Sequence, residues 1–187
     1  MKPEIYLPRE DSYLLSKVLE EQILKLLKEN PNLIFLEIGS GSGIHLETAL
    51  KSGIKKQNIF CCDINPFAVK HCKKLGFNCV NSDLFENIKN FRLRFDLIIF
   101  NPPYLPKDPL EPEDSRISTT GGEKGSEIIN KFLKQARDYL NKNGKIFLLT
   151  SSLSGGINFL DYKKKILAKK KLFFEELFVW ELKIVTK

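Results

Sequence analysis

The strongest constraint on this chain is an apolar run over 33–38 that passes without a spacer into Gly39-Ser40-Gly41-Ser42-Gly43, then into a helical pattern from Ile44 to Lys51. A buried strand that turns at once into a helix needs residues that tolerate positive φ and let the backbone lie against a ligand with no Cβ in the way. Glycine at every second position meets both needs. A dinucleotide fingerprint would place its third glycine at position 44, which is Ile44 here. That departure lowers NAD and raises S-adenosylmethionine, which has no pyrophosphate for the helix N-terminus to bind.

The rest of the chain repeats the alternation. Leu14, Leu15, Val18, Leu19, Ile23, Leu26 and Leu27 recur at helical spacing between Asp11 and Asn30, predicting an amphipathic helix capped by Asp11 or Ser12 and stopped by Pro31. A short apolar run at 58–62, a helix from Pro66 to Leu75 and strands at 78–81 and 95–100 follow. After Pro102 to Gly125, a proline- and glycine-rich stretch that reads as a surface loop, a helix is expected over about Ser126 to Leu140 and a strand over Lys145 to Leu149. Leu172-Phe173-Phe174 and Leu177 to Trp180 read as β structure closing in a hairpin. Strands separated by helices predict an α/β fold with a Rossmann-like, mostly parallel sheet covered on both faces. We expect one domain over 1–187, with 1–30 as a helical segment packed on it and 102–125 as a substrate-side loop.

Composition narrows the partners. A chain of 187 residues, 42% hydrophobic and with a formal charge of +7, can build a full core and attracts nucleic acid or acidic protein. No apolar run approaches the roughly 20 residues of a membrane span. Met1-Lys2-Pro3-Glu4 does not open a secretory signal, so a cytoplasmic protein with no membrane association is expected. Cys61, Cys62, Cys72 and Cys79 form no C-x-x-C pair, and the histidines are His45 and His71, so we expect buried free thiols and no metal. Lys163-Lys164-Lys165 and Lys169-Lys170-Lys171 read as a solvated edge or turn ahead of a basic contact patch.

Two groups of residues carry chemistry. Around the glycine turn, the cofactor set is Glu37, Gly39, Gly41, Gly43, Asp63, Ile64, Asp83 and Leu84. Asp63 ends the next strand, where a carboxylate accepts both ribose hydroxyl protons; its competing role is a cap before Pro66. Asp83 suits an adenine amino group with Leu84 beside the ring, or a capping role. The second group, Asn101-Pro102-Pro103-Tyr104, follows an apolar strand at the carboxyl edge of the sheet. The Asn101 and Pro102 carbonyl oxygens each accept one proton of a planar NH2 group, with Tyr104 against its plane. Methylating such a nitrogen requires it to be held and its growing positive charge to be stabilised, which two acceptors do.

Together these segments resemble the class I S-adenosylmethionine-dependent methyltransferases. Within them they are similar to the HemK/PrmC protein-glutamine methyltransferases, in the short archaeal and eukaryotic branch. Tyr6 to Ser12 with Leu14-Leu15, the glycine turn with Asp63, Asn101 to Tyr104, and Gly121-Gly122-Glu123-Lys124-Gly125 carry the resemblance, over about residues 4 to 150. It implies a seven-stranded sheet with a C-terminal antiparallel hairpin. It also implies transfer to the glutamine side-chain amide in the GGQ loop of a translation release factor. Asp11 and Ser12 would approach the cofactor, Asn101 would contact both ligands, and Pro103, Gly121 and Gly122 would help shape the substrate channel. A small zinc-binding activator subunit would cover an apolar sheet edge near Phe60 and Phe77 to Val80. Thr120 stands where an acidic residue is common, and a full helix after Leu149 is missing. The amino group of adenine in RNA or DNA, a protein lysine, and a non-catalytic S-adenosylmethionine-binding subunit remain open alternatives.

Overall fold

The computed structural model describes residues 5–110, 112 and 119–185. The readings made on Met1 to Glu4, and on positions 111 and 113–118 of the long loop, lie outside these residues. Seven strands form one sheet: β1 (Phe35–Ile38), β2 (Ile59–Asp63), β3 (Asn78–Asn81), β4 (Phe95–Phe100), β5 (Leu140–Ser151), β6 (Tyr162–Lys171) and β7 (Glu176–Ile184). Their order is β3-β2-β1-β4-β5-β7-β6. The pairs from β3 through β5 are parallel, and β7 runs antiparallel to both β5 and β6. The expected seven-stranded α/β architecture with its C-terminal hairpin is therefore present.

Alternation along the strands sends side chains to opposite faces. Phe35, Leu97, Ile99, Phe147 and Leu149 meet α1 (Glu10–Glu29), α2 (Ile44–Lys51) and α3 (Pro66–Lys74) on one face. Leu36, Ile38, Ile98, Phe100, Ile146 and Leu148 meet α4 (Glu127–Ala136) on the other, through Ile129, Phe132 and Leu133. The chain moves outward from β1 in one direction, then crosses to β4 and continues in the other. Ligands of open α/β sheets bind in the crevice at that reversal. Ile38 pairs with Phe100 there, which sets the glycine turn beside Asn101.

Several boundaries differ from expectation. Helix α1 begins at Glu10 with Arg9 as its N-cap residue and no side-chain cap, because a guanidinium offers no acceptor and Asp11 already lies within the helix. Helix α4 ends at Ala136, and a 3-10 turn over Arg137–Tyr139 leads into β5, which starts at Leu140 because that residue pairs with Phe95. Leu172-Phe173-Phe174 is the hairpin turn instead of a strand, closed by the Leu172 N–H donating to the Glu175 carbonyl at 2.7 Å. The outer strand is the lysine-rich Tyr162–Lys171. Edge strands carry charge to resist pairing with other chains, so here apolar density marked the turn and lysines marked the strand.

Candidate active site

The glycine turn is fastened to β2 by the carboxylate at that strand's end. Gly41, at φ +48, donates its N–H to Asp63 Oδ2 at 2.8 Å, and Asn65 N–H donates to Asp63 Oδ1 at 2.8 Å. Asn65, not Asp63, caps α3, its Oδ1 accepting from the Phe67 N–H at 2.9 Å. The capping explanation of Asp63 therefore falls. Burial pushes the Asp63 carboxyl above its usual range, and the Gly41 N–H draws it back. Each carboxylate oxygen accepts more than one hydrogen bond, so both oxygens retain capacity for a diol.

Across the crevice, Asn101 is half fastened and half free. Its Nδ2 donates to Asp11 Oδ2 at 3.0 Å, while its Oδ1 is buried with no partner. Asp11 also accepts from the Tyr6 hydroxyl at 3.1 and 3.2 Å and from the Ser12 N–H at 2.7 Å. Asp11 thus reaches the site as the clamp on Asn101, a role that spacing within α1 did not reveal. A buried carbonyl oxygen without a donor costs about 1–3 kcal/mol, which a ligand N–H would restore.

Behind this clamp lies a buried relay. Glu37 Oε1 stands 2.7 Å from His45 Nδ1, and His45 Nε2 stands 3.1 Å from the Ser12 carbonyl. A carbonyl only accepts, so Nε2 carries a proton, and the Nδ1 contact shares one between imidazole and carboxylate. Burial raises the Glu37 carboxyl to about 7, with His45 opposing the shift. Burial disfavours the His45 cation, yet the Glu37 carboxylate outweighs it and His45 stands above its usual value. Glu37 Oε2 is buried and unpartnered, so it also has capacity for a ligand donor.

The Gly121 loop supports the motif from beneath. A Cβ on Gly121 would lie 2.6 Å from the Pro103 carbonyl oxygen and 2.5 Å from that of Gly125, so only glycine fits. The Gly121 N–H donates to the Leu105 carbonyl at 2.9 Å, and Ser154 Oγ donates to the Tyr104 carbonyl at 2.8 Å. Gly121 is buried and Gly122 partly so; the former holds the backbone of Pro103 to Leu105 in place. Pro102 is buried, and Tyr104 lines a cavity of about 240 Å³ with Tyr6, Asp11, Leu172 and Glu175. Burial, then the nearby Asp11 and Glu175 carboxylates, hold the Tyr104 phenol neutral far above its usual range.

The remaining cofactor candidates flank Asp63. Ile64 is exposed, and Leu84 is buried at φ +46. Asp83 pairs with Lys131 of α4 at 2.6 Å, a partner that sequence reading missed because 48 positions separate the two. Tyr6, His45 and Glu175 were also missed as site residues. The cysteines are free and buried, and the Sγ atoms of Cys61, Cys72 and Cys79 lie within 4.8 Å of one another. Local spacing could not show this grouping, since β2, α3 and β3 contribute one each. No helix among the described residues is long and apolar enough to cross a membrane.

Comparison with known proteins identifies the family. Residues 16–170 match the family model of the methyltransferase small domain. A Methanocaldococcus jannaschii protein assigned as a protein N5-glutamine methyltransferase is 41% identical, over 97% of this chain and 94% of its own length. The human methyltransferase HEMK2 is 33% identical, over 79% of this chain and 72% of its own. Among solved structures, that of the E. cuniculi Mtq2-Trm112 complex, responsible for methylation of the eRF1 translation termination factor, is similar with a TM-score of 0.69. It is 25% identical, over 96% of this chain and 98% of the other.

Proposed function

The chain belongs to the methyltransferase small-domain family and, within it, to the HemK/PrmC-type protein-glutamine methyltransferases, and from that premise we propose that it methylates the glutamine side-chain amide in the GGQ loop of a translation release factor. S-adenosylmethionine is the methyl donor and, when bound, supplies an electrophilic methyl group on a sulfonium. The residues present fit that cofactor. Asp63 keeps acceptor capacity for the ribose hydroxyls, the Gly39 to Gly43 turn leaves room against the backbone, and Glu37 Oε2 waits unpartnered. On the adenine side, Ile64 and Leu84 offer apolar surface and Asp83 an acceptor.

Asn101 supports the acceptor assignment above all. Its Nδ2 is held by Asp11, which fixes the amide orientation and presents the buried, unpartnered Oδ1 to the incoming group. With the Pro102 carbonyl as second acceptor, both N–H bonds of a primary amide are directed and the nitrogen faces the donor methyl. Positive charge growing on that nitrogen is met by two oxygens already in place, at no reorganisation cost. A lysine ammonium would arrive with a proton to lose and three donors, which this pair of acceptors does not match.

Two accessory features go with the reading. A small zinc-binding activator subunit would seat on the open edge of β3, where Phe77 and Cys79 are buried and Val80 is partly exposed. The protein would work in the cytoplasm, beside its acceptor, as one unit over 1–187. The test is transfer of labelled methyl to a purified release factor, to its GGQ Gln→Ala variant, and to bulk RNA and DNA, with and without the activator. Label on the GGQ protein alone establishes the reading; label on nucleic acid replaces it with adenine methylation.

A further inference from the structure

The turn joining β6 to β7 spends two phenylalanines on nothing within the fold. Phe173 is 98% exposed and Phe174 is 96% exposed, although the residues on either side are anchored. Leu172 packs against the core below α1, and Leu177 is fully buried. The Glu176 N–H donates to Ser152 Oγ at 2.9 Å and the Ser152 N–H to the Glu176 carbonyl at 2.8 Å, pinning the hairpin to the end of β5. A firmly held tip bearing two adjacent solvent-facing rings is costly to keep in water and marks a contact surface.

Its position selects the occupant. Leu172 and Glu175, the two ends of the turn, line the same cavity as Tyr6, Asp11 and Tyr104. The phenylalanines therefore sit between two residues of a cavity that Tyr104 and Asp11, the clamp on Asn101, also line. Glu175 Oε1 is buried there without a partner. We propose that the Leu172–Glu175 turn is a docking element for the folded acceptor protein, Phe173 and Phe174 entering an apolar recess beside the loop that carries the methylated glutamine. This rests on the glutamine reading above. A nucleic acid is disfavoured at this place because Glu10, Asp11 and Glu175 surround the cavity against Arg9 alone, and phosphates would meet those carboxylates. Of the three lysines that end β6, Lys170 is paired with Glu10 and Lys169 with Glu176 at 3.7 Å.

The experiment compares the wild-type chain with Phe173→Ser/Phe174→Ser on two acceptors, whole release factor and a short synthetic peptide of its GGQ loop, with the activator present. Both positions are solvent-facing, so the double variant keeps the fold, which its melting temperature verifies. The expected result is a KM for the whole factor raised about tenfold or more, with kcat, cofactor affinity and the peptide reaction each held within about twofold. Equal loss on both acceptors, or no change on the whole factor, overturns the docking role while leaving glutamine methylation intact. Failure of the wild-type chain on both acceptors removes the glutamine reading, and the docking proposal with it. A change confined to binding of labelled RNA would assign the tip to nucleic acid and overturn the proposal.

Discussion

Asp11 Oδ2 accepts a 3.0 Å hydrogen bond from Asn101 Nδ2 across 90 positions of sequence, joining the start of α1 to the end of β4. The bond decides which way the Asn101 amide faces. Without it the side chain can rotate its amide and offer two donors to a substrate that also brings two donors. Asp11→Ala should therefore lower kcat by about 10- to 100-fold while the KM of S-adenosylmethionine changes little. Steady-state kinetics on the release factor distinguish this from a cofactor role, in which KM would rise first.

Asn101→Ala removes the acceptor itself. Turnover should fall by about 10²-fold or more with cofactor affinity nearly unchanged, as for loss of a hydrogen bond made in the transition state. Calorimetry with S-adenosylmethionine beside single-turnover assays gives both numbers. Loss of affinity in step with turnover would make Asn101 a cofactor ligand.

Local chemistry made the central half of the molecule legible. The strand, glycine turn and helix from 33 to 51 obey short-range rules, and so did Asn101 to Tyr104, whose prolines limit what the backbone can do. What could not be read came from tertiary pairing. The Leu140 start of β5 depends on Phe95, and the Asp83 carboxylate finds Lys131 only once α4 is seated. The tail misled because an edge strand inverts the usual pattern, with lysines in the strand and phenylalanines in its turn. Asp11 looked like a cap because acidic residues favour helix starts, and only the partner from β4 revealed its other use.

Asp63→Ala should act in the reverse sense to Asn101→Ala. It removes the acceptor for the Gly41 N–H as well as for ribose hydroxyls, so the turn loosens and cofactor affinity drops by at least about tenfold. Turnover at saturating cofactor should recover most of the wild-type value. Calorimetric titration of the variant with unchanged affinity would contradict the assignment.

Gly121→Ala tests the buttress beneath the motif. The new methyl group would meet two backbone oxygens at 2.5 and 2.6 Å, neither of which belongs to a flexible side chain. Relief requires the Pro103 to Leu105 segment to move, at a stability cost of about 1–3 kcal/mol. Because that segment carries Tyr104 and is bonded directly to Pro102, kcat should fall more steeply than the melting temperature suggests. A destabilised variant with full turnover would show that the loop serves the fold alone.

The Glu37–His45 relay gives the fold a pH dependence whose sign follows from both groups being raised. Glu37 moves from 4.5 to about 7 by burial, and His45 moves above 6.5 because the Glu37 carboxylate outweighs its own burial. The folded chain then binds these protons more tightly than the unfolded chain. Stability from the pair is fully present below the unfolded values and is lost as pH rises through the folded ones. Above that range the site holds a buried Glu37 carboxylate beside a neutral imidazole. Urea unfolding of the cofactor-free protein should therefore show it less stable at about pH 9 than at about pH 6. In Glu37→Gln the amide oxygen still accepts from His45, but the carboxylate is gone, so the slope should flatten. An identical slope in that variant would place the titration elsewhere in the molecule.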